Sequence, residues 1–74
     1  MEYDYSKLNG RIREICSTQS RFAKLMDLSE RSVSLKLNGK IPWTQVEMQK
    51  AIEILEIPLE EIQNYFFRFQ VHKN

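Results

Sequence analysis

Cysteine and histidine, two residue types that often carry catalysis and bind metals, occur once each in this chain, as Cys16 and His72. A catalytic nucleophile needs a base within hydrogen-bond reach, and a zinc site needs three or four side-chain ligands. One cysteine and one histidine in separate segments meet neither requirement, and a lone cysteine, which forms no internal disulfide, is typical of a reducing compartment. The two glycines, Gly10 and Gly39, form no phosphate-binding loop. We therefore expect no enzymatic activity, no metal, no cofactor and no small-molecule substrate.

The remaining candidates for chemistry are the basic side chains of the first half of the chain. Lysine and arginine number 11 against 10 aspartates and glutamates, a net charge of +1. Residues 11–40 contain seven basic and three acidic residues, whereas residues 44–74 contain three basic and five acidic ones. A basic region on an otherwise balanced protein is typical of a phosphate-binding surface, and it is also the ordinary composition of a solvated helix face.

The length of 74 residues predicts a single domain that spans residues 1–74. Its hydrophobic and charged fractions, 42% and 28%, are those of a folded globular chain. A core this small favours help from a partner subunit, so a homodimer is a reasonable expectation. No apolar run approaches the roughly 20 residues that cross a bilayer, and the first residues lack the apolar segment of a signal peptide. We expect a cytoplasmic protein with no membrane contact.

Apolar residues at helical spacing predict three helices within the first forty residues. The first runs from about Ser6 to Ile15, with Asp4 or Ser6 as its N-cap. The second is short, with Ser17 or Thr18 as its N-cap and an end near Asp27. Ser29 caps the third, which Asn38-Gly39 ends, because both residues tolerate the left-handed conformation found at helix C-termini.

The second half begins with the clearest local signal in the chain, the pair Thr44-x-x-Glu47. In this capping box the threonine hydroxyl accepts from the backbone of Glu47 while the carboxylate accepts from the backbone of Thr44, which predicts the start of a fourth helix. A fifth, short helix follows Pro58, with Leu59 and Phe66 among its apolar residues. The predicted fold is therefore all-α, a compact bundle of about five helices.

The C-terminal tail, residues 67–74, changes to a period of two, which is the pattern of a half-buried strand. We find no second strand in the sequence to pair with it. Its apolar face therefore either packs on the helices or pairs with the same segment of another copy. The residues that would make such a self-association contact are Phe67, Phe69 and Val71.

The second and third helices together resemble the helix-turn-helix of the phage Cro and lambda-type repressor family. The resemblance rests on the run from Gln19 to Gly39 (QSRFAKLMDLSERSVSLKLNG), with a polar first residue, the small Ala23, apolar anchors and a terminal Asn-Gly. Two positions depart from the family pattern. Asp27 replaces a glycine, which is acceptable because aspartate adopts positive φ more readily than most residues. Lys36 replaces an apolar residue, so the packing at the end of the third helix is left open.

The resemblance implies a function and a set of site residues. Members of the family bind double-stranded operator DNA, usually as dimers, and regulate phage transcription. The recognition unit would be residues 18–39, with the third helix in the major groove. The implied base-reading residues are Glu30, Arg31, Ser34 and Leu35. The implied phosphate contacts are Gln19, Arg21, Asn38, Lys40 and Thr44.

A second interpretation belongs to a different class. Small regulators of this kind include antirepressors that bind a phage repressor and cover its DNA-reading helices. The low net charge, the acidic second half and Glu30 in the third helix agree with such a role. From the sequence we favour sequence-specific DNA binding as the function, with repressor binding as the alternative interpretation.

Overall fold

The computed structural model describes residues 2–70, whose backbone forms five α-helices and one turn of 3-10 helix. The helices are α1 (Ser6–Cys16), α2 (Gln19–Met26), α3 (Glu30–Leu37), α4 (Gln45–Leu55) and α5 (Ile62–Phe66), and the 3-10 turn is Leu59–Glu61. Over this range the extended backbone amounts to one isolated β-bridge. The predicted all-α class is confirmed, and the fifth helix differs from the prediction in starting with the 3-10 turn.

Side-chain caps begin three of the helices. Thr18 caps α2 by accepting from the backbone N–H of Arg21 at 3.1 Å, and Ser29 caps α3 by accepting from Ser32 at 3.0 Å. Thr44 and Glu47 form the predicted capping box at the start of α4, with both hydrogen bonds present. These caps supply partners to backbone donors that a helix leaves free in its first turn.

The joint between α2 and α3 consists of residues 27–29 and depends on a left-handed residue. Asp27 has φ 60°, and the N–H groups of Asp27 and Leu28 donate to the carbonyls of Lys24 and Ala23. This is a Schellman ending with aspartate in the position that glycine usually takes. It ends α2 after eight residues and allows α3 to start in a new direction.

The core lies between the five helices, where Leu8, Ile12, Phe22, Val33 and Leu55 are fully shielded from solvent. Ala23, at 2% exposure, is the small residue by which α2 packs against its neighbours. Cys16 is buried, as expected for a small apolar side chain. The aromatic rings of Tyr5, Trp43 and Phe66 close one end of this core through edge-to-face contacts.

The C-terminal tail pairs with the N-terminal segment of the same chain. Phe69 forms an antiparallel bridge with Tyr3, flanked by hydrogen bonds from Asp4 to Arg68 at 2.6 Å and from Gln70 to Glu2 at 3.0 Å. The sequence analysis found no second strand, and residues 2–70 contain none, but it did not predict this single bridge, whose partner lies in residues 2–4. Three residues are too few to show an alternating pattern.

Candidate interaction surface

The four residues implied to read DNA bases lie on the outer side of α3. Glu30 and Arg31 are exposed, and Ser34 and Leu35 are partly buried. The buried residues of this helix are Val33 and Lys36, so the predicted reading residues do not belong to the core. The helix therefore presents a mixed surface, with one carboxylate and one guanidinium on its first turn and a partly apolar side chain one turn later.

The residues implied to contact phosphate fall into two groups. Arg21 and Lys40 are exposed cations without an ion-pair partner among residues 2–70. Gln19, Asn38 and Thr44 instead bond within the chain.

The internal partners of these three side chains are specific. The amide of Gln19 donates to the side chain of Asn9 at 3.1 Å, and that of Asn38 donates to the carbonyl of Ser34 at 2.8 Å. The hydroxyl of Thr44 accepts from Glu47 in the capping box. These bonds hold α1 against α2 and fix the two ends of the segment that joins α3 to α4.

Lys36 is a buried cation that the sequence analysis did not place. Its side chain is 7% exposed, and its ammonium lies 2.8 Å from the carboxylate of Glu47 and donates to the carbonyl of Pro42 at 3.0 Å. The same ammonium lies 5.9 Å from the centre of the Trp43 ring, within the range of a cation–π contact. This cluster, Lys36 with Glu47 and Trp43, ties the end of α3 to the start of α4.

The electrostatics of the cluster favour the ionised pair. Burial acts to raise the pKa of Glu47, but hydrogen bonds from Lys36 and Thr44 and the charge of Lys36 outweigh it, so the pKa lies below its usual value. Glu47 is therefore a carboxylate at neutral pH and accepts from both neighbours. Lys36 is therefore neutralised inside the protein and adds no charge to the surface of α3. The surface charge of α2 and α3 comes from other, exposed side chains.

An apolar groove, called here the α4–α5 groove, lies between α4 and the segment 59–67. Its volume is about 520 Å³, and its apolar walls are the side chains of Met48, Ile52, Leu59, Ile62 and Phe67. Leu59 is 79% exposed. Glu53 is the one charged residue in its lining. Nothing in the sequence distinguished Met48, Ile52, Leu59 and Ile62 from core positions, since all four keep helical spacing, whereas Phe67 belongs to the tail with its period of two.

Phe67, the first aromatic residue of the tail, lines this groove, and both Phe67 and Phe69 contact Tyr3. The Phe69 ring stacks on Tyr3 with 5.4 Å between centroids, and the Phe67 ring meets Tyr3 edge-on at 6.0 Å. Phe67 and Phe69 remain 41% and 51% exposed. They are thus available to a partner, as the proposed self-association contact requires, although no partner copy is needed to pair the tail. Val71 lies outside the described residues.

Other kinds of site find little support in the part of the chain that the structure describes. No group of three or more histidine, cysteine, aspartate or glutamate side chains that could hold a metal occurs within residues 2–70. Burial raises the pKa of the Cys16 thiol, which keeps it protonated and unreactive. None of the described helices has the length and apolar character needed to cross a membrane.

The family of this chain follows from its similarity to known protein families. Residues 1–69 match the family described as "Protein of unknown function (DUF739)", and the chain belongs to that family. A comparison with curated proteins gives no match.

Among solved structures, the chain is similar to the modulator of repression (MOR) of the temperate bacteriophage TP901-1 from Lactococcus lactis. The two share 53% sequence identity, the match covers 97% of each chain, and the TM-score is 0.78. The similarity therefore extends over almost the whole length of both chains.

Proposed function

We propose that this chain is a phage modulator of repression that acts by binding a phage repressor protein. The similarity to the TP901-1 modulator of repression, at 53% identity over 97% of both chains, carries this proposal. This similarity favours repressor binding, the alternative interpretation of the sequence, over Cro-type DNA binding. Membership of the Cro and lambda-type repressor family stays a prediction.

The physical basis is competition for one surface. A repressor binds its operator with side chains that contact phosphates and base edges. A protein that covers this surface removes those contacts, and the repressor dissociates from DNA. The modulator needs no catalytic group for this, since its effect depends on its affinity and its concentration.

The test uses this chain and the repressor encoded next to its gene, both purified. We expect size-exclusion chromatography of the mixture to show a stoichiometric complex that elutes ahead of either protein. We also expect increasing amounts of the chain to release the repressor from a labelled operator fragment. Two unshifted peaks, together with an unaffected repressor–operator band, would contradict the proposal.

Direct DNA binding is a second candidate, which the exposed cations Arg21 and Arg31 favour. Because a guanidinium can bind O6 and N7 of guanine, Arg31→Ala should weaken a specific complex by about 1 to 3 kcal/mol. Arg13→Ala is the matched control, since it removes an exposed arginine from α1. A dimer that contacts about four phosphates per subunit should show a salt slope of roughly −7. Equal affinity for operator and random DNA at every salt concentration would remove this candidate.

A further inference from the structure

Acidic residues outnumber basic ones in the second half of the described chain, with five against two in residues 44–70. Within residues 2–70, two of these five carboxylates, Glu47 and Glu61, have ion-pair partners in Lys36 and Lys7. Glu53, Glu56 and Glu60 have none, and all three are exposed. Glu53 lines the α4–α5 groove, and Glu60 follows Leu59, which forms one of its walls. The groove therefore has apolar walls and one carboxylate, that of Glu53, in its lining, and it lies in the half of the chain that is acidic overall.

The face that contains α2 and α3 has the opposite character. Its exposed charges are Arg21, Lys24, Arg31 and Lys40 against Asp27 and Glu30, which leaves an excess of cations. Two surfaces of opposite sign thus lie on one small domain. Only one of them can complement a partner that is itself strongly basic.

The partner in the proposed function is of that kind. Any protein that binds DNA presents lysines and arginines to the phosphates, so the surface that a modulator must cover is cationic. Contact between such a surface and the exposed face of α2 and α3 would oppose like charges, which suppresses association. Contact with the α4–α5 groove would oppose unlike charges and would also bury Leu59 and Phe67, which are 79% and 41% exposed.

We propose that the α4–α5 groove, and not the outer face of α3, receives a basic amphipathic helix of the repressor. Helices commonly bind in grooves of this kind, with apolar residues spaced three or four apart as anchors. The basic residues at the edge of the incoming helix face Glu53 and Glu60, and its apolar residues lie between Ile52, Leu59 and Phe67. This inference rests on the proposed function, because it assigns a surface to the same partner.

The experiment measures binding of the repressor to immobilised wild-type chain and to groove variants, with association and dissociation rates determined separately. Reversing both charges in the double variant Glu53→Lys, Glu60→Lys should slow association about tenfold at low salt, and the difference should shrink as salt screens it. Leu59→Ala removes an apolar anchor and should weaken affinity roughly tenfold, mainly through faster dissociation. All three side chains are exposed, so the variants should keep the helical circular dichroism of the wild type.

For comparison, Glu30→Lys and Arg31→Ala change the outer face of α3. Both variants should bind the repressor as the wild type does. If the groove variants bind the repressor as well as the wild type does, the groove assignment is wrong, and the proposed function stands on the wild-type result. If the wild-type chain does not bind the repressor, the function and the assignment fail together. Sedimentation of the chain alone as a dimer that Leu59→Ala dissociates would also overturn the assignment, because a second copy would then fill the groove.

Discussion

The cluster formed by Lys36, Glu47 and Trp43 allows a quantitative test of what holds α3 against α4. Glu47→Gln keeps the size of the side chain and an oxygen that accepts from Thr44, but it removes the negative charge 2.8 Å from the Lys36 ammonium. Removing one member of a fully buried ion pair costs about 3 to 5 kcal/mol. Because 20% of the Glu47 side chain is exposed, we expect a smaller loss, about 2 kcal/mol. For a domain of this size the melting temperature should fall by about 10 °C.

A second substitution separates the ion pair from the capping box. Lys36→Met has a side chain of similar length without the ammonium, so in this background Glu47→Gln leaves no buried ammonium without a counter-charge. In that background Glu47→Gln should cost less than about 0.5 kcal/mol, which gives a coupling energy of about 1.5 kcal/mol. Denaturation in guanidinium chloride measures all four proteins, and Trp43, the only tryptophan, reports on the cluster by fluorescence. An equal loss in both backgrounds would show that Glu47 acts through the cap alone.

The same pair predicts a dependence on pH. The pKa of Glu47 is lower in the folded chain than in the unfolded chain, so its contribution is present at neutral pH and is lost as pH falls through the folded value. The difference in unfolding free energy between wild type and Glu47→Gln should therefore close in acid, below about pH 4.5. A difference that stays constant down to pH 3 would contradict the assignment of charge to Glu47.

Three further substitutions test local features by thermal or chemical denaturation. Gly10→Ala should stabilise the protein by about 1 kcal/mol, because Gly10 lies inside α1 and a Cβ there meets no atom within 4 Å; a loss of stability would mean that the position is constrained. Thr44→Ala should cost about 1 kcal/mol by removing one half of the capping box, and no change would show that Glu47 and water replace it. Phe69→Ala removes the ring stacked on Tyr3 and should cost about 1 kcal/mol; a wild-type melting curve would show that the tail contributes nothing to folding.

The sequence predicted those parts of the fold that short-range contacts determine. The caps at Thr18, Ser29 and Thr44 each depend on residues within three positions, so their chemistry is visible in the sequence. The tolerance of Asp27 for positive φ was predicted for the same reason, and its φ of 60° confirms it. Local signals of this type predicted the number of helices and the starts of α2, α3 and α4, whereas α1 begins after Tyr5 without a side-chain cap.

Features that join distant segments were not predictable in the same way. A lysine is rarely buried, and Lys36 is buried because it pairs with Glu47. In the sequence, Glu47 already had a role in the capping box, so nothing indicated a second role as the partner of a buried lysine. The groove likewise depends on how α4 and α5 sit side by side, and helical spacing does not tell which apolar residues a neighbour covers. The cations of α2 and α3 agree with both DNA binding and repressor binding, so the sequence could not decide between them. The similarity to the TP901-1 modulator favours repressor binding.

The bridge between Tyr3 and Phe69 closes a ring that contains nearly the whole chain. Because α1 and α5 pack in the core, opening this bridge frees only the short segments at its two ends, and two backbone hydrogen bonds and the aromatic contacts oppose the opening. This pairing should therefore open far more often than the helices, and open as a unit. The amide protons of Asp4 and Gln70 should exchange with deuterium at similar rates, well before those of α1, and a ligand that closes over the aromatic end should slow both together.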